Sequence, residues 1–95
     1  MFSLQNKITL VTGAGSGIGA AIAEAFAKAG AHVFVADRDA SGGHATVEKI
    51  KATKASAEFI ALDVTSEADC ERVRPTVHSA FGRLDVLVNN AGIGH

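Results

Sequence analysis

Short apolar runs alternate along the chain with longer stretches of helical periodicity. Residues 7–12 (KITLVT) form the first run, apolar at its centre without strict alternation, which predicts a strand buried on both faces. Ile18, Ala21, Ile22, Ala25, Phe26 and Ala29 then recur at the three- and four-residue spacing of a helix with one apolar stripe, and Gly30 suits its C-terminal end. Residues 31–37 (AHVFVAD) predict a second strand that ends on an acid. Residues 41–54 predict a weaker helix whose apolar contacts are Ala45, Val47 and Ile50, and residues 57–62 (AEFIAL) a third strand. Ser66 is the expected N-cap of a third helix, with Glu67 and Asp69 in a first turn that suits the helix dipole. Cys70, Val73, Val77, Ala80 and Phe81 form its expected inner stripe, Gly82 its cap, and residues 84–88 (LDVLV) the fourth strand. Pro75 falls inside the third helix, off that stripe. It removes one helical hydrogen bond, costs about 3 kcal/mol in a regular helix, and predicts a kink on the solvent side.

The order βαβαβαβ predicts an α/β fold, a Rossmann-like half with a parallel sheet and right-handed crossovers. In a doubly wound sheet the strand order becomes 3-2-1-4. The switch point then lies between the first and fourth strands, and ligands bind at their carboxyl ends.

Composition narrows the function. The chain has 95 residues, which fit one small domain read as a single segment, 1–95. Its net charge of −1 gives no electrostatic footprint for nucleic acid or an anionic membrane. Cys70 is its one cysteine, so no internal disulfide forms and a reducing compartment is the default. No run is apolar over a bilayer's thickness, and no room for a signal peptide precedes the first strand. A cytoplasmic protein is expected.

The stretch Val11–Gly19 (VTGAGSGIG) carries the chemistry. Glycines there are either a flexible linker or a phosphate cradle. A loop that leads from a strand into a helix sets unpaired helix N–H groups and a positive dipole end beside the strand tip, which favours the cradle. The usual Gly-x-Gly-x-x-Gly register fails, because position 18 is Ile18. Thr-Gly-x-x-x-Gly-x-Gly fits, with Thr12, Gly13, Gly17 and Gly19. In this the chain resembles the short-chain dehydrogenase/reductase (SDR) family.

The resemblance implies a dinucleotide held by Thr12, Gly13, Gly15, Ser16, Gly17, Ile18 and Gly19. Asp37 ends the second strand, where a carboxylate accepts both hydroxyls of the adenosine ribose and repels a 2′-phosphate. NAD is therefore expected over NADP, with Arg38 the one residue that could pair with such a phosphate. Asp63-Val64 resembles the family's acid that meets the adenine amino group; a solvated residue at the start of a helix is the other reading. Asn89-Asn90-Ala91-Gly92 resembles the family's NNAG, whose first Asn braces the sheet and whose Ala-Gly backbone passes the cofactor's ribose.

The family's Ser and Tyr-x-x-x-Lys catalytic set has no counterpart. The chain lacks tyrosine and has no lysine after Lys54. His32, His44, His78 and His95 share no triad or metal-ligand spacing, Cys70 reads as a small core residue, and Arg72, Arg74 and Arg83 as solvated surface. No catalytic or metal-binding residue is assigned. Strand 84–88 would be an exposed apolar edge, so a missing C-terminal half or a homo-oligomer partner is expected to cover it. The resemblance implies the N-terminal dinucleotide-binding part of an oxidoreductase that moves hydride between NAD and a carbonyl or secondary alcohol, and the missing catalytic set implies a chain inactive alone. The alternative is a catalytically inactive nucleotide-binding or interaction module.

Overall fold

A computed structural model describes residues 3–90, apart from the side chains of Arg74 and Phe81. The elements run β1 (Ile8–Thr12), α1 (Gly17–Lys28), β2 (His32–Asp37), α2 (Ala40–Ala52), β3 (Ser56–Ala61), α3 (Glu67–Phe81) and β4 (Val86–Val88). The strands pair in parallel in the order β3-β2-β1-β4, as the alternation of elements predicts.

Burial follows the strand pleat. Val11, Val33, Val35 and Ala57 point to the face covered by α1 and α2, where they meet Ala23, Ala27, Val47 and Ile50. Ile8, Leu10, Phe34, Ala36 and Ile60 point to the other face, where α3 supplies Val73 and Val77. β1 is buried along its whole length. The hydroxyl of Thr9, within it, donates to the His32 carbonyl (3.0 Å), so burial leaves it satisfied.

The inner faces of all three helices differ from the expected stripes. α1 lies on the sheet through Gly19, Ala23 and Ala27, a line of small residues one position on from Ile18, Ile22 and Phe26 of the expected stripe. Ile22 and Phe26 flank that contact, whereas Ala21 and Ala25 are exposed and Ile18 is 70% exposed. Small residues win because they let the helix axis approach the sheet closely. In α2, Ala45 is exposed; Gly43, Thr46, Val47 and Ile50 are its inner face. In α3, Cys70 and Ala80 are exposed, and the valines at 73 and 77 make the contact. The Cys70 thiol lies 3.6 Å from the Val64 carbonyl at the helix rim.

The ends of α3 follow the sequence. Ser66 Oγ accepts the Asp69 N–H (3.2 Å), and Gly82 closes the helix at φ +77°. The helix is continuous through Pro75, which is exposed. β4 is shorter than the apolar run implies, because Asp85 continues the ladder with its side chain. Its carboxylate accepts the Ile8 N–H (2.8 Å) while its own N–H donates to the Ile8 carbonyl (2.8 Å). The Ile8 N–H first, and Arg83 Nε at 2.9 Å second, hold the Asp85 carboxyl below its ordinary pKa. Arg83 also reaches the Asn6 carbonyl, and Arg72 donates to the Ala61 carbonyl (2.7 Å); both arginines are exposed but tied down.

Opposite the carboxyl edge, His32 sits between Ser56 Oγ, which contacts Nδ1, and Glu58, 3.6 Å from Nε2, with Phe34 edge-on to its ring. Burial lowers its pKa below 6.5, partly opposed by Glu58. The unfolded chain therefore takes up a proton first as the pH falls, and stability declines from about pH 7 downward until the folded pKa is passed. We expect the urea midpoint to drop as the pH falls below about 7, and to drop less in His32→Gln. Equal pH dependence in the two proteins would contradict this.

Candidate functional site

The carboxyl ends of β1, β2 and β4 converge on one loop. β1 ends at Thr12, and the chain turns at Gly13 (φ +63°) and again at Gly17 (φ +58°), left-handed conformations that suit glycine. Between them Ala14 is fully buried, and its N–H donates to the Ala36 carbonyl (3.1 Å). The Gly15 N–H donates to Asp37 Oδ2 (2.8 Å). A Cβ at Gly15 would stand 2.7 Å from that oxygen, and one at Gly19 would stand 2.1 Å from the Gly13 carbonyl oxygen. The motif thus separates into turns at Gly13 and Gly17 and close approaches at Gly15 and Gly19.

The loop opens into the N-terminus of α1. Ser16 is its N-cap in an extended conformation, exposed and making no side-chain cap bond, and no acidic residue lies in the first turn. The N–H groups of Gly17, Ile18 and Gly19 are those a helix leaves without intrahelical acceptors, at the positive end of its dipole. At Gly17 an added Cβ would meet nothing within 4 Å. Bare backbone, an uncompensated dipole end and open space together suit a phosphate-bearing ligand.

Asp37 lies beside this opening, half-buried, and its second oxygen accepts the Asp39 N–H (2.9 Å). Arg38 is exposed, and its charge acts on Asp63. On the other side, the Thr12 hydroxyl accepts the Asn90 N–H (2.9 Å) and directs its proton to Asn89 Oδ1 (3.1 Å) or the Val88 carbonyl (3.3 Å). Asn90 Nδ2 reaches the Gly13 carbonyl (3.4 Å). Both asparagines therefore tie β4 to β1, not the first alone.

Asp63 opens a turn three residues before the Ser66 N-cap, its carbonyl accepting the Ser66 N–H (2.9 Å). Its Oδ1 accepts from the Thr65 hydroxyl (2.6 Å) and N–H (2.9 Å), and these bonds, the hydroxyl's first, lower its pKa. Val64 is half-buried beside it. With Leu10, Thr12, Leu62, Cys70, Val73, Leu87 and Asn89 it lines an open pocket of about 210 Å³ on the α3 face. An apolar pocket at the strand ends suits a flat aromatic ring.

The structure brings Thr12, Gly13, Gly15, Ser16, Gly17, Ile18, Gly19, Asp37, Asn89 and Asn90 to one edge of the sheet, with Arg38, Asp63 and Val64 at its rim. Ala91, Gly92 and His95 lie outside the described residues, as does the side chain of Arg74. His44 is exposed on α2 with its ring 4.5 Å from that of Phe59, and His78 is exposed on α3, so neither joins the site. The sequence predicts α2 but not its contact with the glycine loop. A Cβ at Gly42 would stand 2.6 Å from the Gly15 carbonyl oxygen, and one at Gly43 would stand 2.2 Å from the Phe59 ring. Two successive glycines inside a helix, each costing about 1 kcal/mol against alanine, were the signal of that close approach.

A parallel sheet that reverses its strand order between β1 and β4, with a glycine loop and an open helix end at the reversal, belongs to the doubly wound dinucleotide-binding class. Within that class the chain belongs to the short-chain dehydrogenase family, whose model matches residues 7–95. It is 50% identical to an uncharacterised oxidoreductase of Thermotoga maritima, over 96% of this chain and 36% of that protein. It is 41% identical to D-threitol dehydrogenase of Mycolicibacterium smegmatis, over 97% of this chain and 35% of that one. Among solved structures, a hydroxysteroid dehydrogenase from Escherichia coli superposes with a TM-score of 0.89 at 38% identity, over 93% of this chain and 37% of the other. The chain thus spans about a third of the length of these relatives. Membership of the family implies a nicotinamide dinucleotide as cofactor, and the bare cradle between β1 and α1 fits one.

The two kinds of glycine predict different losses. Gly19→Ala drives a methyl into the Gly13 carbonyl, and overpacking of this kind costs about 1–3 kcal/mol. Gly17→Ala has space and meets only the left-handed backbone penalty, about 1 kcal/mol. Thermal melts should rank Gly19→Ala below Gly17→Ala, each kcal/mol lowering Tm by about 4–8 °C in a domain this small. The reverse order would show that α1 does not approach β1 so closely.

Proposed function

We propose that residues 1–95 are the NAD-binding segment of a short-chain dehydrogenase. The full-length enzyme would move a hydride between the nicotinamide and a carbonyl or secondary alcohol. When bound, NAD supplies the hydride acceptor and NADH the donor. The residues of this chain hold and orient the dinucleotide. The backbone N–H groups of Gly17, Ile18 and Gly19, with the Ser16 hydroxyl, receive the pyrophosphate. Asp37 accepts the hydroxyls of the adenosine ribose. Asp63 and Val64 meet the adenine at the pocket on the α3 face, and Asn89, Asn90, Ala91 and Gly92 border the path towards the nicotinamide.

The observation that carries the choice of NAD is Asp37. Its carboxylate is fixed by the Gly15 and Asp39 N–H groups beside the open end of α1. A 2′-phosphate arriving there would meet a fixed negative charge, whereas two ribose hydroxyls would meet acceptors. The substrate class rests on the kinship. The relatives named for D-threitol and for hydroxysteroids, and the L-fucose dehydrogenase of Oryctolagus cuniculus at 45% identity, carry substrates with hydroxyl groups in their names.

The catalytic acid–base and the substrate pocket fall outside this chain in this reading. β4 supports that. It is one of the two outer strands, with β3, and Leu87 on it is 61% exposed. Further strands of the parent protein, or a second copy, would bury it. No helix among the described residues is long and apolar enough to cross a membrane. A cytoplasmic location fits the single cysteine.

Calorimetric titration of the 95-residue chain with NAD and NADP tests the reading. NAD should bind saturably, and NADP about tenfold or more weakly, as like-charge repulsion requires. Asp37→Ala should narrow that gap by weakening NAD while sparing NADP. Equal affinities in the unaltered chain would remove the case for NAD. Incubation with NAD and secondary alcohols should yield no NADH, and clear NADH formation would refute the claim that the catalytic groups lie elsewhere.

A further inference from the structure

The loop is held from a side that the dinucleotide would not touch. The Ala14 carbonyl and the Gly15 N–H belong to one planar trans peptide, so they point in opposite directions. Both ends of that plane are bound. The N–H end donates to Asp37 Oδ2 (2.8 Å), from the end of β2. The carbonyl end accepts the hydroxyl of Thr46 (2.8 Å), from the inner face of α2.

Thr46 is 3% exposed. Its hydroxyl has a second acceptor within reach, the Gly42 carbonyl one turn back at 3.2 Å, which is the ordinary resting bond of a helical threonine. One proton serves one acceptor at a time, and the shorter contact is the one to the loop. Gly42 makes that contact possible, because a side chain there would press on the Gly15 carbonyl.

We propose that Thr46 is a positioning residue for dinucleotide binding. By pinning the Ala14 carbonyl it stops the 14–15 peptide from rotating. This keeps the Gly15 N–H on Asp37, and so keeps the carboxylate aimed at the ribose. The inference rests on the NAD-binding reading and deepens it, since Thr46 acts on the ribose through Ala14, Gly15 and Asp37 without touching it. A rotated peptide would lose both bonds together and turn the Gly15 N–H away from Asp37.

Thr46→Val keeps the shape and β-branching but removes the proton, and Thr46→Ser keeps the proton. Titration with NAD should show a Kd raised about tenfold in Thr46→Val, the size of one ordinary hydrogen bond, and within about twofold of the unaltered chain in Thr46→Ser. Amide hydrogen exchange measured without nucleotide should show Gly15 exchanging about tenfold faster in Thr46→Val, with Val11 and Val35 in the core unchanged relative to it. Loss of affinity in both variants alike, or acceleration of Gly15 only in step with the core amides, would overturn the proposal by reducing Thr46 to packing. An unaltered chain that binds neither NAD nor NADP would defeat the parent reading instead, and the exchange of Gly15 would then decide the peptide clamp by itself.

Discussion

The contact on which the carboxyl edge depends is the approach of α1 to the tip of β1. At Gly19 there is no room for even a methyl group against the Gly13 carbonyl. That closeness brings the first-turn N–H groups of the helix to the end of the central strand, where the sheet changes direction. It also explains why α1 packs through Gly19, Ala23 and Ala27. A helix seated on larger residues would lift its N-terminus from the strand tip and open the loop. The composition of the helix and the shape of the ligand cradle are thus one constraint, expressed at two ends of the same element.

The rest of the edge is assembled around the fixed loop by hydrogen bonds from three neighbours. β2 supplies the Ala36 carbonyl and the Asp37 carboxylate, α2 the Thr46 hydroxyl, and β4 the Asn90 amide. The glycines make the loop permissive, and these bonds give it one shape. A glycine-rich segment costs more conformational entropy to order than any other, so a loop of this composition needs such external ties.

The sequence carries most of this architecture because the strands obey a simple rule. Runs without alternation, as in β1, mean burial on both faces, and alternation of element types leaves the parallel order 3-2-1-4 as the natural topology. The caps at Ser66 and Gly82 are equally local and equally readable. The misread positions are those where contacts remote in sequence set the rotation of a helix by one position from its own apolar period. Ile18, Ala21 and Ala25 satisfy a helical stripe, but α1 turns the line Gly19, Ala23 and Ala27 inward. Ala45 and Cys70 likewise match a period and lie outside the contact. Thr46 carries no local signal at all, since a threonine in a weak helix gains meaning only when a loop 32 residues away in sequence comes to lie against it. Gly42 and Gly43 are the readable trace of that contact, because they break the rule against glycine inside helices.

An asymmetry in the sheet follows from where the helices fall. α1 and α2 share one face, and α3 alone contributes Val73 and Val77 to the other. Val73 of α3, with Leu10, Val64 and Leu87, borders the open pocket over β1 and β4. At its amino end β4 is locked to β1 by Asp85 and Arg83, and at its carboxyl end by Thr12 and Asn90. The least covered strand is therefore the one with side-chain clasps at both ends. A three-residue strand at a sheet edge has little ladder of its own, and the clasps hold it in register where packing does not. Register matters here more than elsewhere, because a shift of β4 by one residue would move Asn89 and Asn90 off Thr12 and Gly13 and dismantle one wall of the site.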